Sequence, residues 1–227
     1  MSQSRSVFAP LAVVVLVAIA FVLFARGAPA GGGVGESASS TGARYALKGG
    51  GSHALPAPAP LRFAPGIAVS DQQIVLRAAS EARPEARRVV ELVTAMVTVR
   101  LGAIASGVAG QTRATDAGYD VVLDLGGVYR GAGMRGVRRL VLHELAHVVD
   151  HALVGANLEA QLDAATPPGF GCDDGTSGGC AAREERFAES FAKWATGDIG
   201  HDLYIGYRVP PPTSLSGWGA PLAALAR

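Results

Sequence analysis

The chain has 227 residues, of which 17% are charged and 49% are hydrophobic, and its formal net charge is +1. This length suits one folded domain with additional segments rather than two full domains. The near-neutral balance excludes the basic surface that nucleic-acid-binding proteins use, so we expect no nucleic-acid partner.

The N-terminus carries a targeting or anchoring segment. Residues 7–25, VFAPLAVVVLVAIAFVLFA, are uncharged and mostly apolar. They are long enough to cross a bilayer as a helix and exceed the usual apolar core of a cleaved signal peptide. The sequence APA at 28–30 offers a small-residue cleavage site. Residues 1–26 are therefore predicted to be a single-pass membrane anchor or a signal peptide, and the rest of the chain is expected outside the cytoplasm, anchored or secreted.

The next segment, residues 27–60, is rich in Gly, Ala, Ser and Pro. Such a composition does not bury enough apolar surface to offset the entropy of ordering the chain. We predict a disordered tether here, followed by a folded domain at 61–227.

Two helices are predicted at the start of this domain. The first covers 70–82 and begins with a capping-box pattern formed by Ser70 and Gln73. The second begins at Pro84, a residue favoured in the first turn of a helix, and runs to about Met96.

Strands and helices alternate in the rest of the domain. The segment VTVRL at 97–101 is β-prone, with a continuation of the second helix as the alternative, and GYDVVLDLGG at 118–127 has the alternation of a strand between glycines. A long helix is predicted at about 135–153, a Pro/Gly-rich loop at 166–180 and another helix at about 182–196. The mixture predicts an α+β fold.

The only two cysteines, Cys172 and Cys180, bracket the flexible segment DDGTSGG. A disulfide between them would agree with an exported protein. Two unpaired thiols are the alternative. Without a CxxC pair these cysteines make a poor metal site by themselves.

The strongest motif is HELAH at 143–147 in the predicted long helix. His143 and His147 are one helical turn apart, so their imidazoles share a face and reach a single metal ion. Glu144 beside them can reach a water molecule on that metal. Apolar residues fill the opposite arc, so one side of the helix is predicted to enter the core and the other to line a cleft. The motif predicts a zinc site.

His151 extends the same spacing by another turn. Three successive positions of this kind span about 12 Å along a helix, whereas a zinc–nitrogen bond is about 2.1 Å long. His143 and His151 therefore cannot share one ion in an unbroken helix. We interpret His151 as a neighbour on the cleft side or as a surface residue.

A catalytic zinc needs a third protein ligand. After His151 the only histidine is His201, so the carboxylates of the helix AREERFAESFAKW are candidates. Three aromatic side chains lie opposite Glu189 on this helix and would turn that residue toward the cleft. Glu185 lies one turn earlier on the same face and could hydrogen-bond a ligating histidine. The aromatic residues are Phe187, Phe191 and Trp194.

HELAH followed by VVD, together with the later segment FAESF, resembles the gluzincin metallopeptidases and is most similar to the lethal-factor-type zinc peptidases. The resemblance implies a compact zincin-like domain with His143, His147 and Glu189 as zinc ligands and Glu144 as general base. It covers about residues 137–194.

One feature of that family is missing. Its members carry a catalytic tyrosine a few residues before the ligand glutamate, and residues 152–188 contain neither Tyr nor His. Tyr204 and Tyr207 are our candidates for stabilising the oxyanion. His201, Tyr119 and Tyr129 are alternatives.

These patterns predict an exported or membrane-anchored zinc endopeptidase acting on a peptide or protein substrate. Glu144 would accept a proton from water and pass it to the leaving amine. By analogy with zincins, the strand at 119–125 would pair with the substrate peptide. The alternative from another class is an inactive zincin-fold binding or scaffold protein outside the cytoplasm.

Overall fold

The computed structural model describes residues 44–46, 52–54, 57, 59–104, 109–169, 182–200 and 208–227. All of them belong to one unit, Ser39–Arg227. The predicted N-terminal anchor, both cysteines and the predicted donors Tyr204 and Tyr207 lie outside the described residues, as does His201. Among the helices that are described, none combines the length and the apolar character needed to span a bilayer.

The central sheet has four strands in the order β3-β4-β6-β5. β3, β4 and β6 are parallel, and β5 runs antiparallel to β6 at one edge. A separate antiparallel pair, β1 and β2, lies in the segment predicted as a tether. The bounds are β1 Arg44–Ala46, β2 Ser52–Ala54, β3 Arg62–Phe63, β4 Val97–Leu101, β5 Gly110–Thr115 and β6 Gly118–Leu123.

Six α-helices accompany this sheet in the described part of the chain, which confirms the mixed helix-and-sheet class. Their bounds are α1 Val69–Ser80, α2 Pro84–Glu91, α3 Leu125–Leu153, α4 Ala156–Ala164, α5 Arg183–Thr196 and α6 Leu215–Ala224. A short 3-10 helix, Thr94–Met96, connects α2 to β4.

The two predicted N-terminal helices are present, with differences at their ends. The capping box is wrong: Ala68 is the N-cap of α1 and supplies no side-chain hydrogen bond. Pro84 does start α2, as predicted. That helix ends at Glu91 rather than near Met96, because the chain tightens into the 3-10 helix before β4.

The long helix α3 begins ten residues earlier than predicted, at Leu125. The Asp124 carboxylate accepts a 2.8 Å hydrogen bond from the Gly127 amide, so Asp124 caps a helix where the sequence predicted continued strand. Gly133, at φ 62°, then bends the helix. Because only glycine adopts this conformation at little cost, the bend separates the first turns from the part that carries HELAH.

The second half of α3 lies in the core. From Gly136 to Asp150 all but one residue of this helix is buried, including the two histidines of the motif. Strand β5 and helices α1 and α5 pack around it. The prediction that the apolar side of α3 packs in the core is therefore confirmed. The opposite side, which carries the two histidines, is also covered, mostly by α5.

The aromatic face of α5 is buried as predicted. Phe187, Phe191 and Trp194 form a cluster with Trp218 of α6. A side chain at Gly219 would overlap the Trp194 indole, so the close packing of α6 on α5 requires glycine there. This cluster turns the opposite face of α5 toward α3.

Candidate metal centre

The two motif histidines meet on one face of α3. Their ring centroids are 5.0 Å apart, and the rings are nearly perpendicular. The relative exposures of His143, Glu144 and His147 are 3%, 4% and 8%, so all three are buried. Each offers one ligand atom within 4.8 Å of the others, and the group could hold a metal ion.

Strand β5 holds the carboxylate of Glu144. The Thr112 hydroxyl lies 2.8 Å from Glu144 Oε2 and donates to it. Gly110, at the start of β5, lies so close that a Cβ atom there would collide with the Glu144 side chain. Burial raises the pKa of Glu144, and the nearby imidazoles oppose that rise. The edge strand thus fixes the position of this carboxylate beside the two histidines.

Glu185 of α5 faces both imidazoles. Its Oε2 lies 3.1 Å from His143 Nε2, and its Oε1 lies 3.6 Å from His147 Nε2. Although burial alone would raise the pKa of Glu185, hydrogen bonds to the two histidines outweigh it and hold that pKa well below its usual range. One carboxylate therefore spans the two nitrogens that point into the space between α3 and α5.

Glu189 lies on the other side of the His143 ring. Its Oε2 is 3.4 Å from His143 Nδ1, and its Oε1 accepts a 2.5 Å bond from Arg139 Nη2. Lys193 Nζ is 3.4 Å from the same oxygen. Burial opposes ionisation of Glu189, but His143 and Arg139 outweigh it and lower its pKa to about 2.

The two cations around Glu189 also bind backbone carbonyls. Arg139 Nη1 donates to the Asp198 carbonyl at 2.5 Å, and Lys193 Nζ donates to that of Val209. Because both cations are nearly inaccessible to solvent, such bonds are needed to offset the loss of hydration. Glu189 is thus the centre of a buried network of hydrogen bonds and ion pairs.

The electrostatics of the site favour a bound cation. Burial lowers the pKa of His143, yet hydrogen bonds to Glu185 and Glu189 outweigh this and raise it to about 10. The negative charges of the two glutamates therefore favour a positive charge at the His143 imidazole. Two imidazole nitrogens and a carboxylate oxygen are a donor set that suits zinc, so the residues present fit this metal.

The predicted site residues thus divide into two groups. His143, Glu144 and His147 are brought together, and Glu189 contacts His143 at Nδ1 rather than Nε2. Tyr204 and Tyr207 lie outside the described residues and remain predictions.

The alternative residues named from the sequence have other surroundings. His151 stacks on the buried ring of Tyr119 at a centroid distance of 6.4 Å. Tyr129 is 58% exposed on the first half of α3. Among the described residues, His151 does not belong to the group that could hold a metal ion.

Sequence reasoning missed two sets of residues around the site. Gly110 and Thr112 lie on β5, which lacks the apolar alternation that signals a strand. Arg139 and Asp150 lie on the same face of α3 as the two histidines, one turn before and one turn after them. Charged residues at these spacings in an otherwise apolar helix were a usable signal for buried partners.

Comparisons of the chain with protein-family models, with curated proteins and with solved structures give no match.

Proposed function

We propose that the chain is a zinc-dependent endopeptidase, exported or anchored in the membrane, with a zincin-like domain of the gluzincin type. One observation carries this proposal. The buried HELAH group, His143, Glu144 and His147, faces the Glu185 carboxylate that enters from a second helix. Two imidazoles, a third ligand and a separate carboxylate beside them are the parts that a catalytic zinc site needs.

For the third ligand we propose Glu185 in place of Glu189, which the resemblance implied. Glu185 lies close to Nε2 of both histidines, whereas Glu189 contacts only Nδ1 of His143. A metal bound between the two Nε2 atoms would therefore meet the Glu185 carboxylate.

Glu189 then acts as the partner that orients His143. With Nε2 directed at the metal, Nδ1 carries the proton and donates to Glu189, which fixes the ring and its tautomer. Arg139 and Lys193 compensate the buried negative charge of Glu189.

Glu144 supplies the acid–base chemistry in this proposal. When bound, zinc supplies Lewis acidity, which lowers the pKa of a water molecule and polarises a carbonyl group. Glu144 accepts a proton from the attacking water and later gives it to the leaving amine. Thr112 and Gly110 hold its carboxylate where that transfer starts.

The order of the strands changes which strand we expect to pair with a substrate peptide. The strand at 119–125 was predicted to pair with the peptide, but β6 lies between β4 and β5 and has partners on both sides. We propose instead that β5, the edge strand that contacts Glu144, receives an extended peptide. Tyr204 and Tyr207 remain our candidates for stabilising the oxyanion.

The activity test uses the full-length chain in detergent and a mixed peptide library, with and without a chelator. We expect chelator-sensitive hydrolysis by the wild type. Glu144→Gln should keep zinc and lose at least about 100-fold in rate, because it removes the proton acceptor. A wild type that binds zinc and cleaves no peptide would favour the scaffold alternative.

The ligand assignment is tested by the matched pair Glu185→Gln and Glu189→Gln, with zinc affinity measured by chelator competition. Loss of a ligand should abolish tight binding, whereas loss of an orienting partner costs about 10–100-fold. A larger loss in Glu189→Gln than in Glu185→Gln would reject the proposed assignment and restore the one from the resemblance.

A further inference from the structure

We propose that the ion pair between Asp150 and Arg183 is a positioning device for the metal centre, because it sets α5 on α3 so that Glu185 meets both histidines. Among the described residues Asp150 does not belong to the group that could hold a metal ion, and the Arg183 guanidinium, a cation, is not a metal ligand. The inference rests on the proposed role of Glu185 as third ligand.

The pair joins the two helices next to the ligands. Asp150 lies one turn after His147 on α3, and its carboxylate is buried. Arg183 is the first residue of α5 and precedes Glu185 by half a turn. The guanidinium binds both carboxylate oxygens, at 2.8 and 2.6 Å. Such a two-bond pair fixes direction as well as distance.

The first turn of α5 depends on contacts of this kind. Its N-cap, Ala182, provides no side-chain hydrogen bond, so the helix start is not held by a cap. Arg183 also approaches Glu159 and Glu184, at 3.4 and 3.6 Å, but these partners are more exposed than Asp150. Among these contacts, the buried pair with Asp150 ties the start of α5 to α3.

The charges along the two helices specify one register. Arg139 of α3 pairs with Glu189, His147 lies near Glu185, and Asp150 pairs with Arg183, so the helices run antiparallel. On each helix the arginine comes first and the carboxylate last, so in the antiparallel arrangement each arginine meets a carboxylate of the other helix.

A slide of α5 by about one turn that brings Phe187 to the position of Arg183 would destroy both of these outer ion pairs. Asp150 would face Phe187 and remain a buried charge without its partner, and Arg139 would face Lys193. Leaving buried charges unpaired is strongly unfavourable. The two outer pairs therefore fix the ligand carboxylate between the histidines without any contribution from a metal.

The test measures Zn²⁺ affinity of the full-length chain by chelator competition. Arg183→Met should lower the affinity by about 10–100-fold, the usual effect of losing a residue that supports a ligand. The control is Arg186→Met, which removes an ion pair with Asp163 of α4 one turn away on the same helix. It should bind Zn²⁺ like the wild type.

A second readout reports the ligand set itself. The visible spectrum of the Co²⁺-substituted protein should shift in Arg183→Met toward that of Glu185→Gln and stay unchanged in Arg186→Met. In the Glu185→Gln background, Arg183→Met should have no further effect on affinity, because the ligand that it positions is gone. An equal loss in both backgrounds would show a general structural role and overturn the inference.

Arg183→Met can fail to fold because it leaves the buried Asp150 charge alone. The double variant Asp150→Leu/Arg183→Met removes both charges, a change that folded proteins usually tolerate. It should fold and show the same loss of Zn²⁺ affinity; wild-type affinity in a folded double variant would overturn the inference. Failure of the proposed function itself would give a different result: if Glu185 is not the third ligand, Glu185→Gln alone would leave Zn²⁺ affinity unchanged.

Discussion

Gly110→Ala is a small change with a large expected effect on catalysis. Gly110 lies on β5 against the Glu144 side chain, and an added Cβ would lie 2.6 Å from Cδ and 2.7 Å from Cγ of Glu144. Carbon atoms in contact are normally about 3.5–4.0 Å apart. The Glu144 carboxylate must therefore withdraw by about 1 Å, because the end of a flexible side chain yields more easily than a paired strand.

The magnitude follows from that displacement. Withdrawal strains the 2.8 Å hydrogen bond from Thr112 to Glu144, and overpacking of this kind costs about 1–3 kcal/mol of stability. A misplacement of about 1 Å at a reacting group costs about 100-fold in rate, equivalent to about 2.7 kcal/mol of transition-state stabilisation. The three atoms nearest the added methyl group all belong to Glu144, so zinc affinity should remain within about threefold of the wild type, under 1 kcal/mol.

The assay compares peptide-library hydrolysis, zinc affinity and urea unfolding of Gly110→Ala with those of Gly131→Ala. Gly131 lies in α3, and a Cβ there meets nothing within 4 Å. This control should keep its activity and gain about 0.5–1 kcal/mol of stability from the better helix former. Wild-type hydrolysis by Gly110→Ala would refute the proposed position of Glu144, and loss of zinc together with activity would place Glu144 among the ligands.

Three further predictions address the surroundings of the site. Thr112→Val should lower hydrolysis about 10–100-fold with zinc retained, since it removes a hydrogen bond to the Glu144 carboxylate worth about 1.5–3 kcal/mol; unchanged rates would contradict this. Gly219→Ala should cost about 1–3 kcal/mol in urea unfolding through overlap with Trp194 and leave zinc affinity unchanged, and a stabilised variant would disprove the packing argument. Burial opposes ionisation of Asp198, but hydrogen bonds from Arg135 of α3 outweigh it and lower the pKa of Asp198. This pair therefore stabilises the fold above the unfolded pKa of about 4, and the contribution is lost as the pH falls through the folded pKa. Because Arg135 is mostly exposed, Asp198→Asn should cost about 0.5 kcal/mol at pH 7 and progressively less as the pH falls below about 4, and a cost that does not change with pH would show that ionisation is not involved.

Several elements could be predicted because their signals are local. The spacing of His143 and His147 places both imidazoles on one face of any α-helix, whatever surrounds it. The aromatic face of α5 and its end at Gly197, which adopts a left-handed conformation, follow from side-chain periodicity and glycine's backbone freedom. These features needed no knowledge of distant contacts.

Other elements were missed because their signals are weak or lie elsewhere in the chain. β5 has the sequence GQTRAT, which alternates little between apolar and polar residues, and it becomes a strand by pairing with β6. The helix start at Leu125 depends on the capping carboxylate of Asp124, in a segment that also fits a strand. The burial of the histidine face depends on α5, which is distant in the sequence.

By itself, the sequence determined that two imidazoles and a carboxylate stand together on one helix and that a second helix offers further carboxylates on its non-aromatic face. It could not decide between Glu185 and Glu189, because residues one turn apart on one face are equivalent by periodicity. The tertiary structure distinguishes the two carboxylates through the antiparallel register of α3 and α5, in which Arg139 pairs with Glu189 and Asp150 pairs with Arg183. In that register Glu185 lies near Nε2 of both histidines and Glu189 lies near Nδ1 of His143, which is why we propose Glu185 as the third ligand.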